Sequence, residues 1–288
     1  MNVLKKFAVA SAVAMAMGLA QAEPILNDWV FNPTGGGFEG GQTIGEYLDV
    51  NGNAFIKLNP TGDGSFTFTE NAVFNITQAD SNGQLFPVKY PGGNITAVFE
   101  ANGTGTFGGE FTFAGGTIRM YQNPTNGQYG STDGIYGANL GNLIASFDVL
   151  AGGGGQVDSN GSPIRNGEVS VFARADAGAL ASGYFFDSEG NDLSMESIMG
   201  FAFTNANTVG RPSATLVDEV ACQYAGFTGA GCNGTAYANA PGEYFFISGN
   251  GQIKLGTVDS EVPEPGSLAL FGIAMLGAGF AARRRNGR

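Results

Sequence analysis

The sequence predicts an all-β body, an antiparallel β-sandwich or jelly roll, with a signal helix before it and a short hydrophobic helix after it. Three observations carry this expectation. Period-two alternation recurs, as in Ser65-Phe66-Thr67-Phe68-Thr69, Gly109-Glu110-Phe111-Thr112-Phe113 and Val169-Ser170-Val171-Phe172. Such runs put aromatic and β-branched side chains on one face of a strand and polar ones on the other. Glycine makes up 48 of 288 residues, far above its usual share of about 7%. It follows no three-residue period, which excludes collagen, and it sits between apolar runs where tight connections belong. Helical periodicity is scarce, and Leu193 to Met199 is the stretch that reads as a helical turn.

The elements follow in order. Residues 1–22 form a secretory signal: Lys5 and Lys6 are the positive region, Phe7 to Leu19 the apolar region, and Ala20-Gln21-Ala22 the cleavage site, with Ala20 and Ala22 as its small residues. The β body spans 23–260. Trp29, near its start, anchors the first strand. Asn51-Gly52-Asn53 separates two apolar runs and predicts a hairpin turn, because Asn-Gly accepts the positive φ that such a turn needs. Gly152 to Gly155 predict a long mobile connection between strands of one domain. Residues 261–288 differ in kind. Pro263-Glu264-Pro265 precedes a 15-residue apolar run, Leu268 to Ala282, which Arg283-Arg284-Arg285 closes. A comfortable membrane span needs about 20 residues, so the run is a marginal one. Arginines remain on the cytoplasmic side. The tail therefore predicts transient inner-membrane insertion with the body outside.

Charge and composition exclude several functions. From Glu23 to Val262 there are 24 acidic and 7 basic residues, a net charge of −17. Such a body repels phosphate backbones, so no nucleic-acid partner is expected. The chain has no histidine, which removes Ser-His-Asp and Cys-His machinery and histidine metal sites. Glycoside hydrolysis needs only two carboxylates, but no motif singles out a pair, and no enzymatic role is expected. Cys222 and Cys232, an isolated pair in an exported protein, read as one disulfide. Asp187, Glu189, Asn191 and Asp192 form a weak calcium candidate. Position 6 of that loop is not glycine, and position 12 is Ile198 where an EF-hand places a bidentate Glu. Asp and Asn beside Gly also make ordinary turns. Trp29, Tyr121, Tyr129, Tyr136, Tyr184, Tyr224 and Tyr237 offer rings that would stack on sugars or, equally, fill core.

Pro263-Glu264-Pro265, the short apolar run and the terminal arginines, in that order, resemble the PEP-CTERM sorting signal. That resemblance implies recognition by a membrane exosortase, cleavage near the motif, and delivery to the cell surface or extracellular matrix. Four body stretches resemble the flocculation-associated group of PEP-CTERM proteins: Glu46-Tyr47-Leu48-Asp49-Val50, Ser131 to Asn139, Gly231 to Thr235 and Glu243 to Gln252. This second resemblance implies a non-enzymatic partner of extracellular polysaccharide that promotes cell aggregation. The alternatives are a discrete carbohydrate- or calcium-binding module and, behind it, a glycan hydrolase.

Overall fold

Thirteen strands account for most of the computed structural model, which describes residues 25–81, 84–85, 94–123 and 129–258. They are β1 (Trp29–Phe31), β2 (Gln42–Ile44), β3 (Tyr47–Pro60), β4 (Ser65–Ser81), β5 (Gln84–Leu85), β6 (Asn94–Thr106), β7 (Glu110–Asn123), β8 (Asn142–Val149), β9 (Gly152–Gln156), β10 (Glu168–Ala175), β11 (Phe185–Phe186), β12 (Ile198–Val209) and β13 (Tyr244–Thr257). The signal segment with Ala20 and Ala22, and the tail with Pro263, Glu264, Pro265, Arg283, Arg284 and Arg285, lie outside the described residues. Among the described residues no helix is long and apolar enough to cross a membrane.

The all-β, antiparallel expectation holds, but one sheet closes on itself where a sandwich would stack two. The order runs β12-β13-β3-β4-β6-β7-β8-β10, and β10 pairs back onto β12. The result is an eight-stranded antiparallel barrel. Alternation cannot separate the two architectures, because each strand buries one face in either. Pairing separates them, because β10 bonds to both β8 and β12 and leaves no edge there; the strands are also long, β3, β4, β6, β7 and β13 each running for 13 to 17 residues, against a usual strand of about 5–6.

The interior follows strand parity. Leu48, Val50, Ala54, Ile56 and Leu58 of β3 point inward, as do Phe66, Phe68, Ala72 and Ile76 of β4 and Ile95, Ala97, Phe99 and Ala101 of β6. A small sheet, β11-β1-β2, plugs one end. There Trp29 is fully buried and stacks 6.4 Å from Phe185, so it anchors the first strand as expected. Phenylalanines fill the other end, with Phe68 edge-on to Phe113 at 5.6 Å.

Two glycine expectations are corrected. Asn51-Gly52-Asn53 is not a hairpin turn; β3 runs straight through it, paired to β13 and β4. A Cβ on Gly52 would lie 2.3 Å from both the Phe74 ring and the Val73 carbonyl oxygen. The glycine is there for the close approach of a ring inside the barrel. Gly152 to Gly155 are not a mobile connection either. They form β9, which continues the path of β8 and pairs with β7 and β10. A Cβ on Gly154 would meet the Phe111 carbonyl oxygen at 1.9 Å.

Helix is as sparse as expected, though two short 3-10 turns, Phe38–Gly40 and Arg165–Gly167, and one longer segment were not anticipated. Leu193–Met195 forms the single 3-10 turn anticipated, and the Asp192 carboxylate caps it by accepting from the Ser194 N–H at 2.9 Å. The longest helical segment among the described residues, α1, begins as Ala214–Leu216 and continues as a π-helix, Val217–Tyr224. Its sequence signal is legible afterwards. Ser213 caps it, accepting from the Leu216 N–H at 3.1 Å, and Leu216, Val217, Val220 and Ala221 recur at helical spacing. That face packs outside the barrel on Phe55, Val73, Val98 and Phe246.

A polar groove as the candidate functional site

The outward residues of the barrel line up across strands. Glu110 faces Gln156, Glu168 faces Asn205, Asn205 faces Asn250, and Asn250 faces Asn51. Two residues along, Ser170 faces Phe203, Phe203 faces Gln252, and Gln252 faces Asp49. Neighbouring strands lie about 4.8 Å apart, so each row is a regular ladder perpendicular to the strands. Both ladders line one groove of about 860 Å³. Gly153, Gly154, Gly155 and Gly251 border it with bare backbone, and a Cβ on any of them would run into the backbone of a neighbouring strand.

Two exposed apolar groups interrupt the polar surface. Phe203 is 47% exposed and Ile164 is 37% exposed, and both line the groove. Beside Ile164 runs a left-handed turn, Arg165, Asn166 and Gly167, with φ of 54°, 61° and 68°. The Ile164 N–H donates to the Gln156 carbonyl oxygen and the Gly167 N–H to the Ile164 carbonyl oxygen, each at 3.0 Å. Only glycine fits position 167, where a Cβ would stand 1.7 Å from the Ala206 carbonyl oxygen. Each non-glycine residue in this conformation costs about 1–2 kcal/mol, so the fold holds Arg165 at the groove against a local penalty. Among the described residues Arg165 makes no ion pair.

Chemically the groove presents amides, hydroxyls and carboxylates, which between them donate to and accept from alcohols, together with the exposed ring of Phe203 and the partly buried ring of Phe111. Of the candidates within the described residues, the Asp187–Asp192 loop, the cysteine pair, Trp29 and the tyrosines all lie outside it. In the calcium candidate, one Asp187 oxygen accepts from the Glu189 and Asn191 N–H groups at 2.9 and 2.8 Å, and the other from the Asn191 amide at 2.7 Å. The second Asp192 oxygen accepts from the Ser182 hydroxyl at 2.7 Å and the Gly183 N–H at 2.8 Å. Burial opposes ionisation of Asp187 and Asp192, but these donors outweigh it and hold both carboxyls below the usual range. Glu189 is exposed. Among the described residues no cluster of three or more acidic or cysteine side chains could hold a metal.

Cys222 and Cys232 are joined as expected, with Cα atoms 5.4 Å apart. The bridge ties α1 to the loop after it. The tyrosine candidates serve packing. Tyr129 stands edge-on to Tyr136 at 5.3 Å, and Tyr237 packs on Phe246 at 5.3 Å, under or beside α1. The exposed ring in the groove is Phe203, which sequence reading missed. Its signal is the run Gly200-Phe201-Ala202-Phe203-Thr204, where the small residues take the inward positions and the rings the outward ones.

Residues 261–285 match the PEP-CTERM protein-sorting motif. The chain thus carries the signal of an exported surface protein processed by an exosortase. No curated protein and no solved structure matches it.

Proposed function

We propose that this protein is an extracellular polysaccharide-binding protein that promotes cell aggregation, with the outer groove as its binding surface. The observation that carries the reading is Phe203, a half-exposed ring within one of two adjacent ladders of amides and carboxylates. Leaving a ring in water costs free energy, and flat ring plus polar rim is the surface a pyranose fits: C–H face on the ring, hydroxyls on the amides. The ladders extend across several strands, so a polymer would engage repeated weak contacts. Linked weak contacts gain strongly from effective concentration. The role is adhesive, not enzymatic, and export with exosortase processing puts the barrel where such polymer lies.

The test is settling of cells lacking the gene, with total polysaccharide assayed in parallel, then complemented with wild type or Phe203→Ala. The reading expects dispersed cells that still make polysaccharide, rescued by wild type and poorly by the variant. Unchanged flocs in the deletion strain, or full rescue by Phe203→Ala, would refute it.

A further inference from the structure

We infer that the groove selects a cationic glycan, a polymer bearing free amino sugars; this rests on the groove being a polysaccharide site. The lining charges are unequal. Among the described lining residues Glu110, Glu168 and Asp49 supply three carboxylates, and Arg165 is the one cation. Register places the two glutamates on either side of Gln156: Glu110 pairs with it across β7 and β9, and Gly155 pairs with Val169 across β9 and β10. Glu110 and Glu168 therefore stand two strand spacings apart, roughly 10 Å, both exposed. Neither makes an ion pair among the described residues. A neutral sugar would meet these carboxylates with hydroxyls alone. A protonated amine donates to them as a cation, so each hydrogen bond is also an ion pair, an attraction that a hydroxyl cannot supply. The barrel's surroundings act in the same direction, since a body of 24 acidic and 7 basic residues attracts a polycation and repels a polyuronate. Phe203, in the neighbouring row, supplies the ring face that a plain acidic patch lacks.

The test uses the full secreted protein collected from producing cells and three probes: a glucosamine hexamer, an N-acetylglucosamine hexamer and a uronate hexamer. The inference expects the glucosamine hexamer to bind at least about tenfold more tightly than its acetylated counterpart at low salt, with the advantage shrinking as salt rises. Glu110→Gln/Glu168→Gln should abolish that advantage. Glu189→Gln/Glu196→Gln, which removes the same charge from exposed positions outside the groove, should preserve it. Equal losses in the two double variants would reduce the effect to bulk charge and overturn the inference. Equal or tighter binding of the acetylated or uronate hexamer would overturn it while leaving a polysaccharide groove in place. Should no hexamer bind, and should wild type and Phe203→Ala retain the producer's own polysaccharide alike, the groove reading falls with it.

Discussion

Glu70 is a carboxyl inside an apolar barrel, and the structure ties it to a specific pH dependence. It lies on β4 between Ile56 of β3 and Ala101 of β6. It borders a hollow of about 50 Å³ that Phe66, Phe68, Phe111 and Phe245 also line. No hydrogen bond or ion pair to it is seen among the described residues. Burial alone pushes its carboxyl up from 4.5 to about 8. Between those values the unfolded chain has released a proton that the native barrel still holds. Stability should therefore be full below about pH 4.5 and fall as pH rises through the folded value, by at most about 1.4 kcal/mol per pH unit. Summed over the window the upper bound is about 5 kcal/mol. The residue is only partly buried by exposure, and the hollow has room for water. Water beside the carboxylate brings the expected loss down to about 2–3 kcal/mol. Glu70→Gln keeps the shape and cannot ionise. Urea unfolding at pH 5, 7 and 9 should show the variant close to wild type at pH 5 and more stable by about 2–3 kcal/mol at pH 9. The tyrosines do not confuse this window, since burial pushes even Tyr224 up to about 12. Wild-type and variant curves that run parallel from pH 5 to 9 would show that Glu70 does not titrate in the barrel.

Other perturbations probe other parts of the fold. Gly52→Ala should cost about 1–3 kcal/mol by overpacking, read as a lower urea midpoint, because its Cβ would stand 2.3 Å from Phe74 and Val73; an unchanged midpoint would mean that β3 does not pack as described. Replacing both Cys222 and Cys232 by serine should cost about 2–3 kcal/mol by freeing a short loop. The amide-exchange protection lost should lie over α1, with the barrel strands retaining theirs. Millimolar calcium should leave the melting temperature unchanged, since turn hydrogen bonds already occupy the Asp187 and Asp192 oxygens; a clear rise would show that the loop reopens around the metal.

Much of this architecture was legible because alternation reports burial of one strand face. Trp29 in the first strand, the Leu193–Met195 turn and the Cys222–Cys232 bridge all follow from local chemistry. Asn51-Gly52-Asn53 misled because Asn-Gly serves two purposes. In a hairpin the glycine supplies positive φ; in this barrel it makes room for a ring while asparagine faces out. In Gly249-Asn250-Gly251 on β13 the glycine makes room for backbone, since a Cβ on Gly251 would stand 2.4 Å from the Phe203 carbonyl oxygen. The groove was illegible for the same reason. Its residues are far apart in the chain, and only the register brings Asn51, Asn205 and Asn250 into one row. Closure itself was also hidden, because the β10–β12 pairing that seals the barrel leaves no mark in local sequence.

The most direct test of polysaccharide binding in the groove is an NMR titration of the isotope-labelled protein with fragments of the producer's own polysaccharide. Side-chain amide and ring signals of Asn51, Asn205, Asn250, Gln252 and Phe203 should shift together and saturate with one binding curve. Shifts confined to other surfaces, or none at concentrations where the polymer retains the protein, would contradict it.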